Sequence, residues 1–195
     1  MSAGLLPAAL GGYVLGAIPF GLVLTSAAGL GDIRAIGSGN IGATNVLRTG
    51  RRGLALATLL LDGLKALIAV LLARAEFGAG AGLAAGMAAV VGHVYPVWLR
   101  FRGGKGVASA FGMLFGVAWP AALAAAAVWL AVARLTRISS AGALCAFAVA
   151  PALAWLAAGP VAGAGVAAIS GLIFWRHRDN IRRLLASTEP RVGGQ

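Results

Sequence analysis

Residues 79–118 of the chain read AGAGLAAGMAAVVGHVYPVWLRFRGGKGVASAFGMLFGVA. Apolar runs stand at both ends, and the segment between them contains three basic residues and three glycines: Arg100, Arg102, Lys105, Gly103, Gly104 and Gly106. Because glycine has no side chain, its backbone N–H groups stay accessible to a bound group. The pattern therefore indicates either an anion-binding turn between two membrane-spanning helices or an ordinary basic loop of a membrane protein.

The composition of the whole chain places it in the membrane. Of its 195 residues, 60% are hydrophobic and only 11% are charged, whereas about a quarter of the residues of a soluble domain are charged. Apolar runs of about 20 residues recur, and a helix of that length crosses a hydrocarbon core of about 30 Å. We therefore predict an all-α integral membrane protein that forms one domain over residues 1–195.

Seven apolar runs are predicted to span the membrane. They cover residues 4–27, 53–73, 79–99, 106–118, 121–134, 140–157 and 160–176. The fourth and fifth runs are short, and a single long helix that is kinked at Pro120 is the alternative. Two separate helices are favoured because they keep all the basic clusters on one side of the membrane.

The placement of the basic residues explains the net charge of +11. Fourteen of the sixteen Lys and Arg residues fall in four groups at the ends of predicted spans or beyond them. They form groups of four, three, two and five within residues 34–52, 100–105, 134–137 and 176–191. This alternation of basic and bare loops is the positive-inside pattern. We therefore expect the N-terminus outside, the C-terminus in the cytoplasm and no nucleic-acid partner.

The first polar cluster, residues 37–48, reads GSGNIGATNVLR. Its first two glycines are predicted to form a tight turn, with Ser38 or Asn40 capping the start of a short helix. The polar residues that share one face of this helix are Thr44, Asn45 and Arg48. A phosphate site at a helix N-terminus and an amphipathic helix on anionic lipid are both compatible with the pattern.

The basic turn at residues 103–106 does not match a nucleotide-binding P-loop. That motif needs a glycine where Leu99 stands and a hydroxyl residue where Gly106 stands. Nucleotide binding is therefore disfavoured. His93, near the end of the preceding span, is expected to be a hydrogen-bonded structural histidine rather than a reacting group.

A third polar cluster, residues 176–183, follows the last span and reads RHRDNIRR. His177 and Asn180 lie three residues apart on one helical face and offer a proton acceptor and an amide. Ser140, at the start of the sixth span, adds a hydroxyl on the same side of the membrane. The alternative is that the arginines only anchor the helix end at the lipid surface.

Ionisable residues inside the spans are rare. Asp62 and Lys65, three residues apart in the second span, are expected to form an ion pair with a structural role. The chain has only five acidic residues and two histidines. Since no carboxylates cluster, we expect neither a metal nor a cofactor.

Together, residues 37–48, 92–106 and 176–183 closely resemble the three cytoplasmic motifs of the bacterial acyl-phosphate:glycerol-3-phosphate acyltransferase family, PlsY. The resemblance extends over nearly the full chain and includes Asp62-x-x-Lys65. It implies transfer of a fatty acyl group from acyl phosphate to the sn-1 hydroxyl of glycerol-3-phosphate. The products would be lysophosphatidic acid and phosphate, in the first step of phospholipid synthesis. The enzyme would lie in the bacterial cytoplasmic (inner) membrane, with its active site at the cytoplasmic face.

The resemblance also implies roles for individual residues. Those with an implied catalytic role are Ser38, Lys105, His177 and Asn180. Those implied to bind substrate or phosphate are Thr44, Asn45, Arg48, Gly103, Gly104, Gly106 and Ser140. Lys105 would stabilise charge on the leaving phosphate or the tetrahedral intermediate. Either His177 or an oxygen of the acyl phosphate would take the hydroxyl proton.

Two other classes of protein remain compatible with the residues themselves. A transporter of a phosphorylated solute would also use basic clusters and an intramembrane ion pair. Transporters place their site near the membrane midplane, however, whereas these clusters are all predicted at one surface. The third class is a scaffold that binds anionic lipid through its arginines.

Overall fold

The computed structural model of the chain describes residues 4–37 and 39–192. Its helices are α1 (Leu5–Gly16), α2 (Phe20–Ala27), α3 (Ala43–Leu47), α4 (Arg52–Phe77), α5 (Ala79–Val94), α6 (Val107–Thr136), α7 (Ser139–Ala158), α8 (Pro160–Arg176) and α9 (Arg178–Leu185). Short 3₁₀ turns cover Ile33–Ala35 and Val97–Leu99. Within the described residues there is no β-strand, which confirms the predicted all-α class.

In the part of the chain that the structure describes, five helical segments are long and apolar enough to cross a membrane. They are Leu5–Ala27, Arg52–Phe77, Ala79–Leu99, Val107–Thr136 and Ser139–Ala158, and α8 is a shorter apolar helix of 17 residues. Large side chains such as Leu60, Leu72 and Leu156 are exposed on these helices, as expected where a helix faces lipid. The chain is therefore an integral membrane protein. The count of seven spans and the orientation of the termini stay predictions.

Helix α6 is interrupted close to the predicted break. Ala118 has non-helical backbone angles of φ −151° and ψ 75°, and it stands two residues before Pro120. A proline has no N–H to donate to the carbonyl four residues earlier, which here is that of Gly116. That carbonyl instead lies 3.5 Å from Arg74 Nη1, a long hydrogen bond. The proline thus accounts for the break between the two helical parts of α6.

The first predicted span is also broken, between α1 and α2 at residues 17–19. Pro19 cannot continue the hydrogen-bond ladder of α1, and carbonyls released within a membrane need other donors. Trp98 Nε1 donates to the carbonyl of Ala17 at 2.7 Å, and Lys65 Nζ donates to that of Ile18 at 2.8 Å. Long-range side chains therefore stabilise a break that Pro19 starts.

The contacts divide the chain into two compact units, Met1–Gly116 and Val117–Gln195. In the N-terminal unit, α1, α4 and α5 pack around small residues: Ala8, Ala66, Ala69, Ala73, Ala81, Ala85 and Ala89. In the C-terminal unit, α7 and α8 pack against each other, and Phe147 and Val166 are fully buried. Small residues allow such close approach of helices in lipid.

The packing of α1 against α5 depends on Gly12. A Cβ at this position would overlap the backbone of Ala85, so Gly12→Ala forces the two helices apart. We expect this variant to be destabilised by about 1–3 kcal/mol, measured as thermal unfolding in detergent. Gly11→Ala is the matched control, since a Cβ at Gly11 meets no atom within 4 Å. Equal unfolding temperatures for the two variants would contradict the proposed packing.

Candidate functional site

The first polar cluster is a loop held from beneath by Asn45. This side chain is buried, and its Nδ2 donates to the carbonyls of Ile33 and Ile36 at 2.8 and 3.0 Å. Since the amide nitrogen can only donate, these contacts direct Oδ1 the other way, where it accepts from Arg48 Nη1 at 3.3 Å. Thr44 and Arg48 are exposed. Asn45 therefore does not share their exposed face, and it supports the loop and the Arg48 guanidinium.

The predicted turn at the start of this cluster is present. Gly37 and Gly39 have φ of +56° and +67°, a region that favours glycine. A Cβ at Gly37 would meet Asn45 Oδ1 at 2.7 Å and Arg48 Nη1 at 2.8 Å. The missing side chain thus leaves room for the guanidinium against the loop backbone. Ser38 lies outside the described residues.

The predicted phosphate site at a helix N-terminus is not supported at this loop. Helix α3 has only five residues, so few peptide dipoles are aligned and the positive end is weak. Asn40 Oδ1 accepts the N–H of Gly42 at 2.8 Å, and Gly42 is itself the residue before α3. Asn40 therefore stabilises the turn that leads to the helix and does not cap the helix as predicted. What this loop offers an anion is the hydroxyl of Thr44 and the charge of Arg48.

The glycine-lysine turn at residues 103–106 folds back onto the end of α5. The Gly103 N–H donates to the Val94 carbonyl at 3.1 Å, and the Gly104 N–H donates to the His93 carbonyl at 3.0 Å. The last carbonyls of a helix lack partners within it, and the turn supplies them. The expectation that both N–H groups are open to a ligand is therefore wrong.

The two glycines in this turn are explained by close approach instead. A Cβ at Gly103 would overlap the His93 carbonyl, and a Cβ at Gly104 would overlap Nε2 of the His93 ring. Gly106, with φ +89°, redirects the chain into α6, whose first bond runs from the Ala110 N–H to the Gly106 carbonyl at 2.8 Å. Lys105 is half-buried within this turn. Its ammonium is the charged group through which the turn could attract an anion.

A buried ionic cluster lies beneath the turn. Lys65 Nζ is 2.7 Å from Asp62 Oδ1, which confirms the predicted ion pair. The same Nζ is 3.0 Å from Nδ1 of His93, and all three side chains are buried. The histidine is therefore hydrogen-bonded, as predicted. Its link to the ion pair, 28 positions away in sequence, has no signal in the local sequence.

The two clusters of the N-terminal unit share a hydrophobic base. Ile33, Ile41 and Val46 from the first loop are buried together. Leu99, which precedes the glycine-lysine turn, packs against them. The loop that carries Arg48 and the segment that leads to Lys105 are thus anchored on one apolar cluster.

The polar cluster of the C-terminal unit is organised by Glu189. Its Oε1 accepts from Ser140 Oγ at 2.7 Å and from Asn180 Nδ2, and its Oε2 accepts from Arg183 Nε at 2.7 Å. Only 7% of the Glu189 side chain is exposed, so the carboxylate is largely shielded. Ser140 and Asn180, both predicted site residues, are therefore joined by a residue that the sequence analysis did not single out. The only signal for it is an acidic side chain within a basic C-terminal segment.

His177 lies at the junction of α8 and α9. Its Nδ1 is 2.8 Å from the Ile173 carbonyl, and a carbonyl can only accept. The hydrogen bond thus places a proton on Nδ1, and in the neutral ring Nε2 carries the lone pair. Burial of the ring, which is 3% exposed, holds this orientation. The arrangement suits a residue that accepts a proton or a hydrogen bond through Nε2.

The contacts of Glu189 predict an acid-sensitive structure. Burial acts to raise the pKa of this carboxyl, but hydrogen bonds from Ser140, Asn180 and Arg183 outweigh it and hold the pKa below its ordinary value of 4.5. A lowered folded pKa stabilises the protein above the unfolded pKa, and the effect is lost as the pH falls through the folded value. We expect the unfolding temperature of the wild type to exceed that of Glu189→Gln at neutral pH, with a gap that shrinks below pH 4.5. A gap that does not change with pH would contradict this role of the charge.

Among residues 4–37 and 39–192, no group of three or more His, Cys, Asp or Glu side chains is placed to hold a metal ion.

The fold and its polar clusters define a class: an all-helical integral membrane protein whose polar helix ends suit anionic groups. Residues 6–187 match the family model described as glycerol-3-phosphate acyltransferase, and the chain belongs to that family. It is a membrane acyltransferase of the PlsY type, as the resemblance predicted.

Similar proteins agree over almost the entire length. The chain is 57% identical to a glycerol-3-phosphate acyltransferase of Paramagnetospirillum magneticum, over 98% of this chain and 95% of the relative. It is 55% identical to one from Rhodopseudomonas palustris, over 93% of each. The crystal structure of PlsY, an integral membrane glycerol 3-phosphate acyltransferase, in its glycerol 3-phosphate form matches with a TM-score of 0.91 at 39% identity, over 96% of this chain and 95% of that one. The lysophosphatidic acid form of PlsY matches with a TM-score of 0.89 at 38% identity, over 95% of this chain and 94% of that one.

Proposed function

We propose that this chain transfers a fatty acyl group from acyl phosphate to the sn-1 hydroxyl of glycerol-3-phosphate. The observation that carries the proposal is the near full-length likeness to PlsY in its glycerol 3-phosphate form. The products are lysophosphatidic acid and inorganic phosphate. The hydroxyl oxygen forms a bond to the acyl carbon, and the bond from that carbon to the phosphate oxygen breaks. Because acyl phosphate already carries a good leaving group, the reaction needs no cofactor.

In this reaction the residues of the first two polar clusters supply the positive charge for phosphate. The proposed phosphate ligands are Ser38, Thr44, Arg48, Lys105 and the backbone N–H of Gly106. Gly103 and Gly104, whose N–H groups bond to the end of α5, shape the turn that carries Lys105. Lys105 also stabilises charge on the leaving phosphate or the tetrahedral intermediate, which is the largest single contribution in many acyl transfers. Asn45, proposed from the sequence as a ligand, acts by holding Arg48, since their contact is 3.3 Å.

The third polar cluster and Ser140 are proposed to supply the groups for glycerol-3-phosphate. Asn180 and Ser140 orient the substrate, and their contacts with Glu189 support this role by restricting both side chains. The hydroxyl proton goes either to Nε2 of His177 or to an oxygen of the acyl phosphate. The hydrogen bond from Nδ1 of His177 to the Ile173 carbonyl supports the first acceptor, because it leaves the lone pair on Nε2.

Purified protein in detergent, given radiolabelled glycerol-3-phosphate and one acyl donor at a time, tests the proposal. Acyl phosphate should yield labelled lysophosphatidic acid, while acyl-CoA and acyl carrier protein thioesters should not. Product from a thioester but none from acyl phosphate would replace the proposed donor. A transporter of a phosphorylated solute would make no lysophosphatidic acid with any donor and would instead move the labelled solute into proteoliposomes.

The proposed topology has seven spans, the N-terminus outside, and the C-terminus and active site at the cytoplasmic face of the bacterial inner membrane. The basic clusters support it through the positive-inside pattern. Single cysteines at the exposed positions Arg102 and Glu76, in a chain with Cys145 replaced by alanine, test it. An impermeant thiol reagent added to intact cells should label the variant at Glu76 but not that at Arg102. Labelling of both, or the reverse pattern, would contradict this orientation.

A further inference from the structure

The buried cluster of Asp62, Lys65 and His93 determines which ring nitrogen of His93 carries a proton. Lys65 Nζ has three close polar neighbours: Asp62 Oδ1 at 2.7 Å, the Ile18 carbonyl at 2.8 Å and His93 Nδ1 at 3.0 Å. An ammonium has three N–H donors and cannot accept. All three donors are therefore used, and the ring of Phe20, 5.7 Å away, adds a cation–π contact.

It follows that Nδ1 of His93 accepts a hydrogen bond. A proton on Nδ1 would point at an ammonium that offers only N–H groups. Asp62 Oδ1 also lies 3.5 Å from Nδ1 of His93. Lys65 Nζ is hydrogen-bonded to both of these atoms and so bridges them. The ring is therefore neutral and carries its proton on Nε2. This tautomer is opposite to that of His177, which donates through Nδ1 to the Ile173 carbonyl.

The glycine-lysine turn rests on the same histidine. The His93 carbonyl accepts the N–H of Gly104, and Nε2 of the ring lies where a Cβ of Gly104 would stand. On the far side of the turn, Ser109 Oγ donates to the Asp62 carbonyl at 2.8 Å. The turn is thus held before and after Lys105 by two members of the buried cluster.

We propose that His93 is a positioning residue for the turn at 103–106, and that Lys65 and Asp62 act through it by fixing the orientation and the tautomer of its ring. The ring, held through Nδ1, packs against Gly104, and its carbonyl accepts the N–H of the same residue, so together they fix the backbone that carries Lys105. The inference rests on the proposed function, because the turn's role is to hold a phosphate-bearing substrate. The inference adds to that site a buried support made of the side chains of Asp62, Lys65 and His93.

Two substitutions of His93 separate this role from a general need for packing. In His93→Gln the amide nitrogen can reach the position of Nε2, whereas in His93→Asn the amide reaches only the position of Nδ1. We expect His93→Asn to lower kcat/KM by about 10- to 100-fold, because it leaves Gly104 without the ring it packs against and a misplacement of about 1 Å in a site can cost about 100-fold. His93→Gln should restore kcat/KM to within about threefold of the wild type, a change of less than 1 kcal/mol. Equal losses in both variants, at equal unfolding temperatures, would overturn the proposal.

The tautomer is measurable directly by ¹⁵N NMR of histidine-labelled protein in detergent. The chain has only two histidines, so the signals absent from His93→Gln belong to His93. Nδ1 should show the shift of a nitrogen with a lone pair and Nε2 that of a protonated nitrogen, with the reverse assignment for His177. A protonated Nδ1 at His93 would overturn the proposal.

A double variant tests whether the ion pair selects the tautomer. Asp62→Asn with Lys65→Met removes both charges, so neither is left unpaired in the membrane. We expect the His93 signals to move towards a mixture of tautomers and kcat/KM to fall with them. An unchanged spectrum would overturn the role of Lys65. A wild-type protein that makes no lysophosphatidic acid would refute the proposed function. The NMR spectra need no substrate, so they would still test the tautomer of His93 in that case.

Discussion

Replacing Lys105 by alanine is expected to lower the rate of lysophosphatidic acid formation by about 100- to 1000-fold, the usual cost of removing one group that stabilises a developing negative charge. The charge in question is that of the tetrahedral intermediate and of the phosphate that leaves. The side chain is half-buried in a turn whose backbone is tied to the end of α5. The backbone that carries this charge is therefore already fixed before the substrate binds, which favours stabilisation of the developing charge.

The control for this variant is Arg134→Ala. Arg134 is an exposed cation in the last turn of α6, and its loss changes the net charge of the chain equally. It should leave the rate within about twofold of the wild type, because an exposed charge contributes little beyond its own surroundings. Lys105→Arg should recover part of the activity. If Lys105→Ala and Arg134→Ala reduced the rate to the same small extent, the basic residues would serve membrane anchoring and not catalysis.

A single-atom change at Asn45 is expected to have the second largest effect. In Asn45→Asp the buried nitrogen that donates to the carbonyls of Ile33 and Ile36 becomes an oxygen, which repels both. Leaving each buried carbonyl without its donor costs about 1–3 kcal/mol, and the new negative charge also attracts Arg48 away from substrate. We expect the rate to fall at least about 100-fold, with a clear drop in the unfolding temperature.

Asn40→Asp is the matched control in the same loop. Asn40 uses its oxygen, accepting the N–H of Gly42 at 2.8 Å, and a carboxylate keeps this acceptor. Both variants add one negative charge to the loop, so a loss of activity or stability that they share is due to that charge. A difference between them is due to the hydrogen bonds, because Asn45 donates whereas Asn40 accepts. We expect Asn40→Asp to fold as stably as the wild type, within about 1 kcal/mol. Equal destabilisation by the two substitutions would show that Asn45 does not hold the loop.

Gly103 and Gly104 illustrate where sequence reasoning went wrong. A glycine pair beside a lysine suggests open amides, and the same pair is also what a chain needs to lie against a neighbouring backbone. The pattern of residues is identical in the two cases. Only the position of His93, ten residues earlier in the chain, decides that the amides are used internally and that the missing side chains make room for its ring.

Glu189 illustrates what sequence reasoning missed. Ser140 and Asn180 are site residues predicted from the sequence, but the residue that joins them stands 49 positions from the first and nine from the second. Its neighbours in sequence say nothing about those partners, because the contact depends on how the C-terminal segment returns towards the start of α7. The same holds for the contact of Lys65 with His93.

The sequence by itself determined that the chain is an α-helical membrane protein, that a helix breaks near Pro120, and to which family it belongs. These properties follow from local chemistry: apolar length, the missing proline N–H and short motifs are all read within one segment. Only the tertiary structure decided that Asn45 binds backbone carbonyls and that Glu189 gathers the C-terminal cluster. It alone also brought Lys65 Nζ to 3.0 Å from Nδ1 of His93. These are hydrogen bonds between distant segments, and their partners are chosen by the path of the backbone.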